Sequence, residues 1–339
     1  MKDELKNWLG WLFLTIATLA LSACVQSSDC LQEDVFCAGL VTDALGIDDH
    51  GMNQDTWAGL QDAKANGLVD VAEYIDSVDA RDYEKNMAYF ADKGYDVIIT
   101  TGIGMSDDTL RSAALYPDSV FVGINQPHEE ERPNSISVTF AEDQMGFLAG
   151  ALAAHISETR VVGAVCETSG IDSMWRFCEG FRAGAVFADE NINVQVVYRE
   201  GGDREKLFID EDWGFDTAHQ LIRRGVDVIF AAGGATGQGA LRAAAEEQVR
   251  AIGTERDQRA VLAESGSSVA TSILGSASFE VQTVLRLIRE GTIYESGSSQ
   301  IRYVPFDRKF PENLTQEMDD LLLALWNGQI ETGVTFEKP

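Results

Sequence analysis

From Val35 onward, short apolar runs alternate with amphipathic stretches. The runs VFCAGLVT (Val35–Thr42), VIIT (Val97–Thr100), Val120–Ile124, Val161–Cys166, Val194–Tyr198, VIFA (Val228–Ala231) and Val269–Ile273 each end in a polar or glycine-containing loop. Runs of that length with such ends predict buried strands. Shorter strand patterns fall at Val69–Tyr74, Ala251–Gly253 and Gln300–Val304. Helical spacing occupies the intervals, at Gln54–Ala65, Tyr83–Lys93, Thr109–Leu115, Met145–Ile156, Met174–Val186, Phe215–Arg224, Gln238–Glu246, Phe279–Arg289 and Thr315–Asn327. Strands alternating with helices predict parallel sheets covered on both faces. The theme restarts at Met145, so the expected fold class is α/β with two doubly wound lobes. Glu129–Asn134 (EEERPN) and Glu264–Ser268 (ESGSS) are the expected crossings between lobes.

The N-terminus needs a separate account. Lys2 and Lys6 precede an unbroken apolar stretch, Trp8–Ala23, which is shorter than the roughly 20 residues a membrane-spanning helix needs. It closes on Leu21-Ser22-Ala23-Cys24, small residues before a cysteine. This predicts a bacterial lipoprotein signal over 1–23, with the lipid on Cys24. Export leaves four cysteines, Cys30, Cys37, Cys166 and Cys178, in an oxidising compartment. Four allow three pairings, of which Cys30–Cys37 with Cys166–Cys178 is the local choice, and four free thiols are the alternative.

Charge narrows the function. A formal net charge of -29 over 339 residues repels phosphate backbones, so a nucleic-acid partner is excluded. No CxxC pair is present, the four histidines are scattered, and Asp210–Gly214 lacks EF-hand spacing, so no metal is expected. Neither GxSxG nor HExxH occurs, and the expectation is a protein that is not an enzyme.

In doubly wound sheets, ligands sit outside the carboxyl ends of the strands. The loops there hold Asp43, Asp49 and Asn53, then Gly102 to Met105, Asn125, Gly233 to Gly239, and Thr254 to Gln258. Their carboxylates and amides suit a polar ligand, although Asp49 also reads as a helix cap. The glycine loops let backbone N–H groups approach a ligand. They lack GxGxxG spacing and a P-loop lysine, so no nucleotide cofactor is expected.

These loops also carry a family resemblance. GLVTDALGIDDHGMNQDTWAGL (Gly39–Leu60), VIITTGIGM (Val97–Met105), FVGINQP (Phe121–Pro127), FAEDQMGFLAGALAAHIS (Phe140–Ser157), WRFCEGFRAGA (Trp175–Ala185), GVDVIFAAGGATGQG (Gly225–Gly239), AIGTERDQ (Ala251–Gln258) and ATSILGS (Ala270–Ser276) resemble, in order, the basic membrane protein family of lipoproteins. Its best-understood branch binds purine nucleosides for ABC importers. The resemblance implies a type I periplasmic-binding fold, two lobes joined by three crossings, with an ABC permease as partner. It implies a first lobe of residues 35–138 and 270–298 and a second of 139–269 and 299–339, with 24–34 as a tether. The chain is then expected as a monomer, lipid-anchored and facing the periplasm or the cell exterior.

Ligand positions carried over are Asp43, Asn53, Gly234, Thr236 and Gly237. Departures mark the rest. Met52 and Met105 stand where the family has phenylalanine, Asn125 and Glu255 where it has aspartate, and Gly275 where it has lysine. Asn125 donates as well as accepts, Met sulfur packs on rings, and Trp175 or Phe177 offers an aromatic face. The candidate ligand contacts are therefore Asp43, Asp49, Met52, Asn53, Gly104, Met105, Asn125, Trp175, Phe177, Gly234, Thr236, Gly237 and Glu255. The expected ligand is nucleoside-like, with a riboflavin-like or sugar ligand, or a sensory role, as the alternatives.

Overall fold

The computed structural model describes residues 30–128, 130, 132–201, 206–292, 297–299, 301–306, 310 and 312–339. The expected signal 1–23 and Cys24 lie outside the described residues.

The first sheet is built on β1 (Cys37–Thr42), every residue of which is buried. It is flanked by β2 (Val71–Asp76) and β3 (Val97–Thr101), followed by β4 (Val120–Ile124), β5 (Ser135–Phe140) and β11 (Gly297–Ser299). The order is β2-β1-β3-β4-β5-β11, and all neighbours are parallel. The second sheet repeats the plan with β6 (Val161–Cys166), β7 (Asn193–Tyr198), β8 (Val228–Ala232), β9 (Arg250–Thr254), β10 (Val269–Leu274) and β12 (Arg302–Tyr303). Its order is β7-β6-β8-β9-β10-β12, with only the last pair antiparallel. Position by position the two orders match, so the lobes share one topology.

Helices cover both faces: α1 (Met52–Ala65), α2 (Tyr83–Asp92), α3 (Ser106–Leu115), α4 (Glu142–Ile156), α5 (Asp172–Ala188), α6 (Glu211–Arg223), α7 (Gly234–Glu246), α8 (Ala277–Arg289) and α9 (Glu312–Trp326). With both faces covered, central strands read as continuous apolar runs. One apolar cluster runs from Leu40, Leu60 and Ile99 of the first lobe to Phe177, Phe181 and Phe230 of the second. Separate clusters under the outer helices contain Phe90 and Phe121 on one side, Leu221 and Ile229 on the other.

Among the described residues the chain passes between sheets three times: between β5 and α4, between β10 and α8, and between β11 and β12. Neither expected crossing segment does this. Glu129–Asn134 joins β4 to β5 within the first sheet, where Arg132 bridges to Ser135. Glu264–Ser268 lies in a 3-10 turn (Ala263–Ser268) between β9 and β10 of the second. Polar composition marks any solvated connection, whichever sheets it joins. β10 pairs with β9, so the second crossing follows Leu274 rather than preceding residue 270. The first follows Phe140, because β5 runs on to that residue alongside β4.

Small residues set the closest packing. A side chain at Gly146 or Gly150 of α4 would enter the Phe177 or Phe181 carbonyl of α5. Reciprocally, one at Gly180 or Gly184 would enter the Asp143 or Phe147 carbonyl. The two helices therefore touch backbone to backbone. The cysteines pair locally, Cys30 with Cys37 and Cys166 with Cys178, so the free-thiol alternative fails. The second bridge ties the end of β6 to α5. Residues 332–338 return across these helices: Thr332 Oγ1 donates to Asp143 (2.6 Å) and Arg176 donates to the Phe336 carbonyl (2.7 Å).

Candidate ligand site between the lobes

The carboxyl ends of both sheets face one another across a cavity of about 340 Å³. That size matches small-molecule sites. A larger recess of about 710 Å³, lined by His155, Arg250 and Glu317, involves the starting ends of β9 and β10, opposite the cleft.

The first lobe supplies Asp43 from the end of β1. Its Oδ1 accepts from Leu45 N (3.0 Å) and from Asn53 Nδ2 (2.8 Å). Asn53 is buried, donates its other amide hydrogen to the Gly46 carbonyl (3.1 Å) and accepts from Thr101 Oγ1. Asn53 thus orients Asp43 while its own hydrogen bonds stay within the lobe. Asp49 accepts from the backbone N–H groups of Gly51 (2.9 Å), Asn53 (3.0 Å) and Gln54 (3.0 Å), the capping role its position allows. Burial raises the pKa of both aspartates.

Glu255, from the end of β9, reaches across the cleft. Its Oε2 lies against Gly51 of the first lobe, where any side chain at 51 would collide with it. Burial, with the charges of Asp49, Asp55 and Asp43, pushes the carboxyl up to about 7. Asp55 itself is raised by burial and accepts from Ser278 N (2.9 Å). Two further bonds join the lobes directly: Gln238 Nε2 donates to the Asp49 carbonyl (3.1 Å), and Gln258 Nε2 to the His50 carbonyl (3.3 Å).

Apolar walls complete the cavity. Tyr83, Met52, Met105, Ile103 and Leu45 line it from the first lobe, and Ile171, Leu207 and Phe208 from the second. A buried network holds the Phe208 loop. Glu167, wholly buried, accepts from Phe208 N (3.1 Å), Thr236 Oγ1 (2.7 Å) and Arg199 Nη1 (3.1 Å). Arg199 also pairs with Asp210 (3.1 Å).

Of the candidate contacts, Asp43, Asp49, Met52, Asn53, Gly104, Met105, Asn125, Gly234 and Glu255 line this cavity. Phe177 lines a small adjoining pocket together with Met52, Asn125 and Glu255, and packs edge-on to Phe230 with centroids 5.1 Å apart. Three others line neither cavity. Trp175 lines neither cavity, because its helix turns Ser173, Met174 and Phe177 inward instead. Thr236 commits its hydroxyl to Glu167 and Asp210 N (3.1 Å). Gly237 packs over the end of β8, against Ala231 and Ala232. Tyr83 and Phe208 escaped the sequence reading. Tyr83 starts α2, just past the loop that follows β2, and Phe208 sits in a charged segment without periodicity. A search for aromatics flanking the strand-end loops would have found Tyr83.

The chain matches the family model for PnrA-like substrate-binding proteins of ABC transporters over residues 37–308. It is 31% identical over 257 residues to the CD4+ T-cell-stimulating antigen of Listeria monocytogenes, covering 70% of this chain and 69% of that one. It is 29% identical over 266 residues to the ABC transporter nucleoside-binding protein BmpA of Lactococcus lactis, covering 72% of this chain and 74% of the relative. Among solved structures, a solute-binding protein of an ABC transporter system from Conexibacter woesei superposes with a TM-score of 0.72 at 22% identity, over 89% of this chain and 100% of that one. One from Aeropyrum pernix gives 0.72 at 18% identity, over 87% and 92%. These two likenesses show the two-lobed fold.

Proposed function

The chain belongs to the Bmp family of ABC transporter substrate-binding proteins, and from that premise we propose that it captures a nucleoside-like ligand in the interlobe cavity and presents it to a permease. A substrate-binding protein works by occupancy and release rather than by turnover.

The observation that carries the reading is the division of the cavity wall. Tyr83, Met105 and Phe208 offer flat or polarisable surfaces for a ring. Asp43, Asp49 and Glu255 gather where hydroxyls can donate. A nucleoside has one end of each kind. The relative from Lactococcus lactis, named for nucleoside binding, supports the same reading. Asn125 reaches both the main cavity and the adjoining pocket, where its amide can donate to a ring acceptor.

Ligand held between the lobes favours the closed arrangement that Gln238 and Gln258 already bridge. The permease would read that shape. Lipidation at Cys24 would keep a monomeric chain at the outer face of the membrane; no helix among the described residues is long and apolar enough to cross one.

Calorimetry with adenosine, guanosine, inosine, uridine, riboflavin and ribose tests the ligand class. At least one nucleoside is expected to bind with micromolar or better affinity, weakened at least tenfold by Phe208→Ala or Tyr83→Ala. Binding of riboflavin or ribose alone would overturn the assignment.

A further inference from the structure

Resting on this reading of the cleft and narrowing its ligand, we propose that the physiological ligand is cationic, carrying a protonated amine or a charged ring, and that Glu255 receives the positive charge.

The case begins with who satisfies whom. Five carboxylates line the main cavity and the small pocket beside it: Asp43, Asp49, Asp55, Glu142 and Glu255. Four have protein donors. Asp43 takes Leu45 N and Asn53, Asp49 takes three backbone N–H groups, Asp55 takes Ser278 N, and Glu142 takes the Arg176 guanidinium at 2.9 Å. Among the described residues, the Glu255 carboxylate has no hydrogen-bond or ion-pair partner. It meets only burial and the like charges of Asp49, Asp55 and Asp43. Its donor must come from what enters the cavity.

Charge then selects the donor. Among the described residues, no Lys, Arg or His lines either cavity. The nearby Arg256 guanidinium favours Asp49 and Asp55 and lines neither wall. Nor can position 275 supply a cation, because the Phe140 ring occupies the space a side chain there would need. A hydroxyl can donate to Glu255 but leaves the crowding of like charge in place. A cation relieves it, and an anion such as phosphate adds to it. The backbone agrees: Glu255 is held at φ 69, a strained conformation for a residue with a side chain, which aims the carboxylate inward.

The test uses the full mature chain and two probe sets, read by calorimetry and thermal shift at pH 7.5. The first compares the cationic nucleosides nicotinamide riboside and 5′-amino-5′-deoxyadenosine with neutral adenosine and inosine and with anionic AMP. The second contains the unrelated cations thiamine and choline. The expected result is a cationic member binding at least tenfold tighter than the neutral nucleosides, with AMP weakest. That preference should disappear in Glu255→Gln. In the wild-type chain the tightest cation should gain affinity as pH rises from 6 to 8 and Glu255 ionises among Asp43, Asp49, Asp55 and Arg256. Binding confined to thiamine or choline would retain the cation and remove the nucleoside. Neutral nucleosides binding as tightly as their cationic analogues, or no cation binding at all, would overturn the proposal.

Discussion

Asn125 and Glu255 occupy the same position in the two lobes. Each follows the fourth strand of its sheet in spatial order, β4 or β9. Each has a left-handed backbone, φ 58 and φ 69. Each donates its backbone N–H to the neighbouring strand, Asn125 to the Val138 carbonyl (2.8 Å) and Glu255 to the Ile273 carbonyl (3.2 Å). The repeated fold thus delivers two equivalent side chains to one cavity, one a neutral amide and the other an acid.

The acid makes stability depend on pH. The folded chain holds the Glu255 proton up to about pH 7, against the ordinary carboxyl value of 4.5. Its stabilising contribution is therefore complete below pH 4.5 and is lost as pH rises through 7. Glu255→Gln removes that loss. We expect the variant to exceed the wild type by about 1–3 kcal/mol at pH 8, converging below pH 4.5. Urea unfolding across the range reads the difference, and parallel curves at every pH would refute it.

Closure rests on two amides. Gln238 and Gln258 carry hydrogen bonds from the second lobe to carbonyls of the 49–50 loop. Replacing both by alanine should open the cleft and weaken ligand affinity by roughly 5- to 150-fold, taking each bond at about 0.5–1.5 kcal/mol. Small-angle scattering without ligand should show a larger radius of gyration. An unchanged radius with unchanged affinity would remove these bonds from the closing mechanism.

Position 275 cannot simply take back a side chain. The Phe140 ring lies against the Gly275 backbone. Gly275→Lys should destabilise the fold by about 1–3 kcal/mol through overpacking. Adding Phe140→Ala should recover part of that loss by clearing the space, although the alanine alone is destabilising. Thermal melts of the two single variants and the double variant form the cycle, and strict additivity would deny the contact.

The Phe208 wall depends on a buried carboxylate that lines neither cavity. Glu167→Ala leaves Arg199, Thr236 Oγ1 and Phe208 N without a shared acceptor. We expect a loss of about 3–5 kcal/mol, the usual range for breaking a buried pair. Glu167→Gln should keep more of the fold yet speed ligand release, because one face of the acceptor becomes a donor. Stopped-flow dissociation separates the two effects.

Much of this architecture was legible in sequence because burial on both faces writes strands as plain apolar runs. VIIT and VIFA fall within β3 and β8. β5, SISVTF, alternates polar and apolar residues and ends next to a helix start, so no strand was expected there. β11, three residues long, is too short for any period to show, whereas β12 falls within the expected Gln300–Val304 strand. The strand-end rule led to Asp43, Asn125 and Glu255. It did not single out Phe208, which lies well past the end of β7 and is held at the cavity by the buried Glu167. Nor could it separate Thr236 from its neighbours. A buried threonine and a ligand-facing one look alike until the acceptor of the hydroxyl is known.

The glycine-lined contact of α4 with α5 decides where the molecule can bend. With Gly146, Gly150, Gly180 and Gly184 seating each helix in the other's main chain, no slack remains for one to slide past its neighbour. α4 starts at Glu142, directly after the first crossing. Any swing of the first lobe must pivot on the three connectors and be transmitted whole, as by a fulcrum and a stiff lever. A bulky residue wedged at Gly150 would loosen the lever while leaving the pivot and every cavity-lining residue in place.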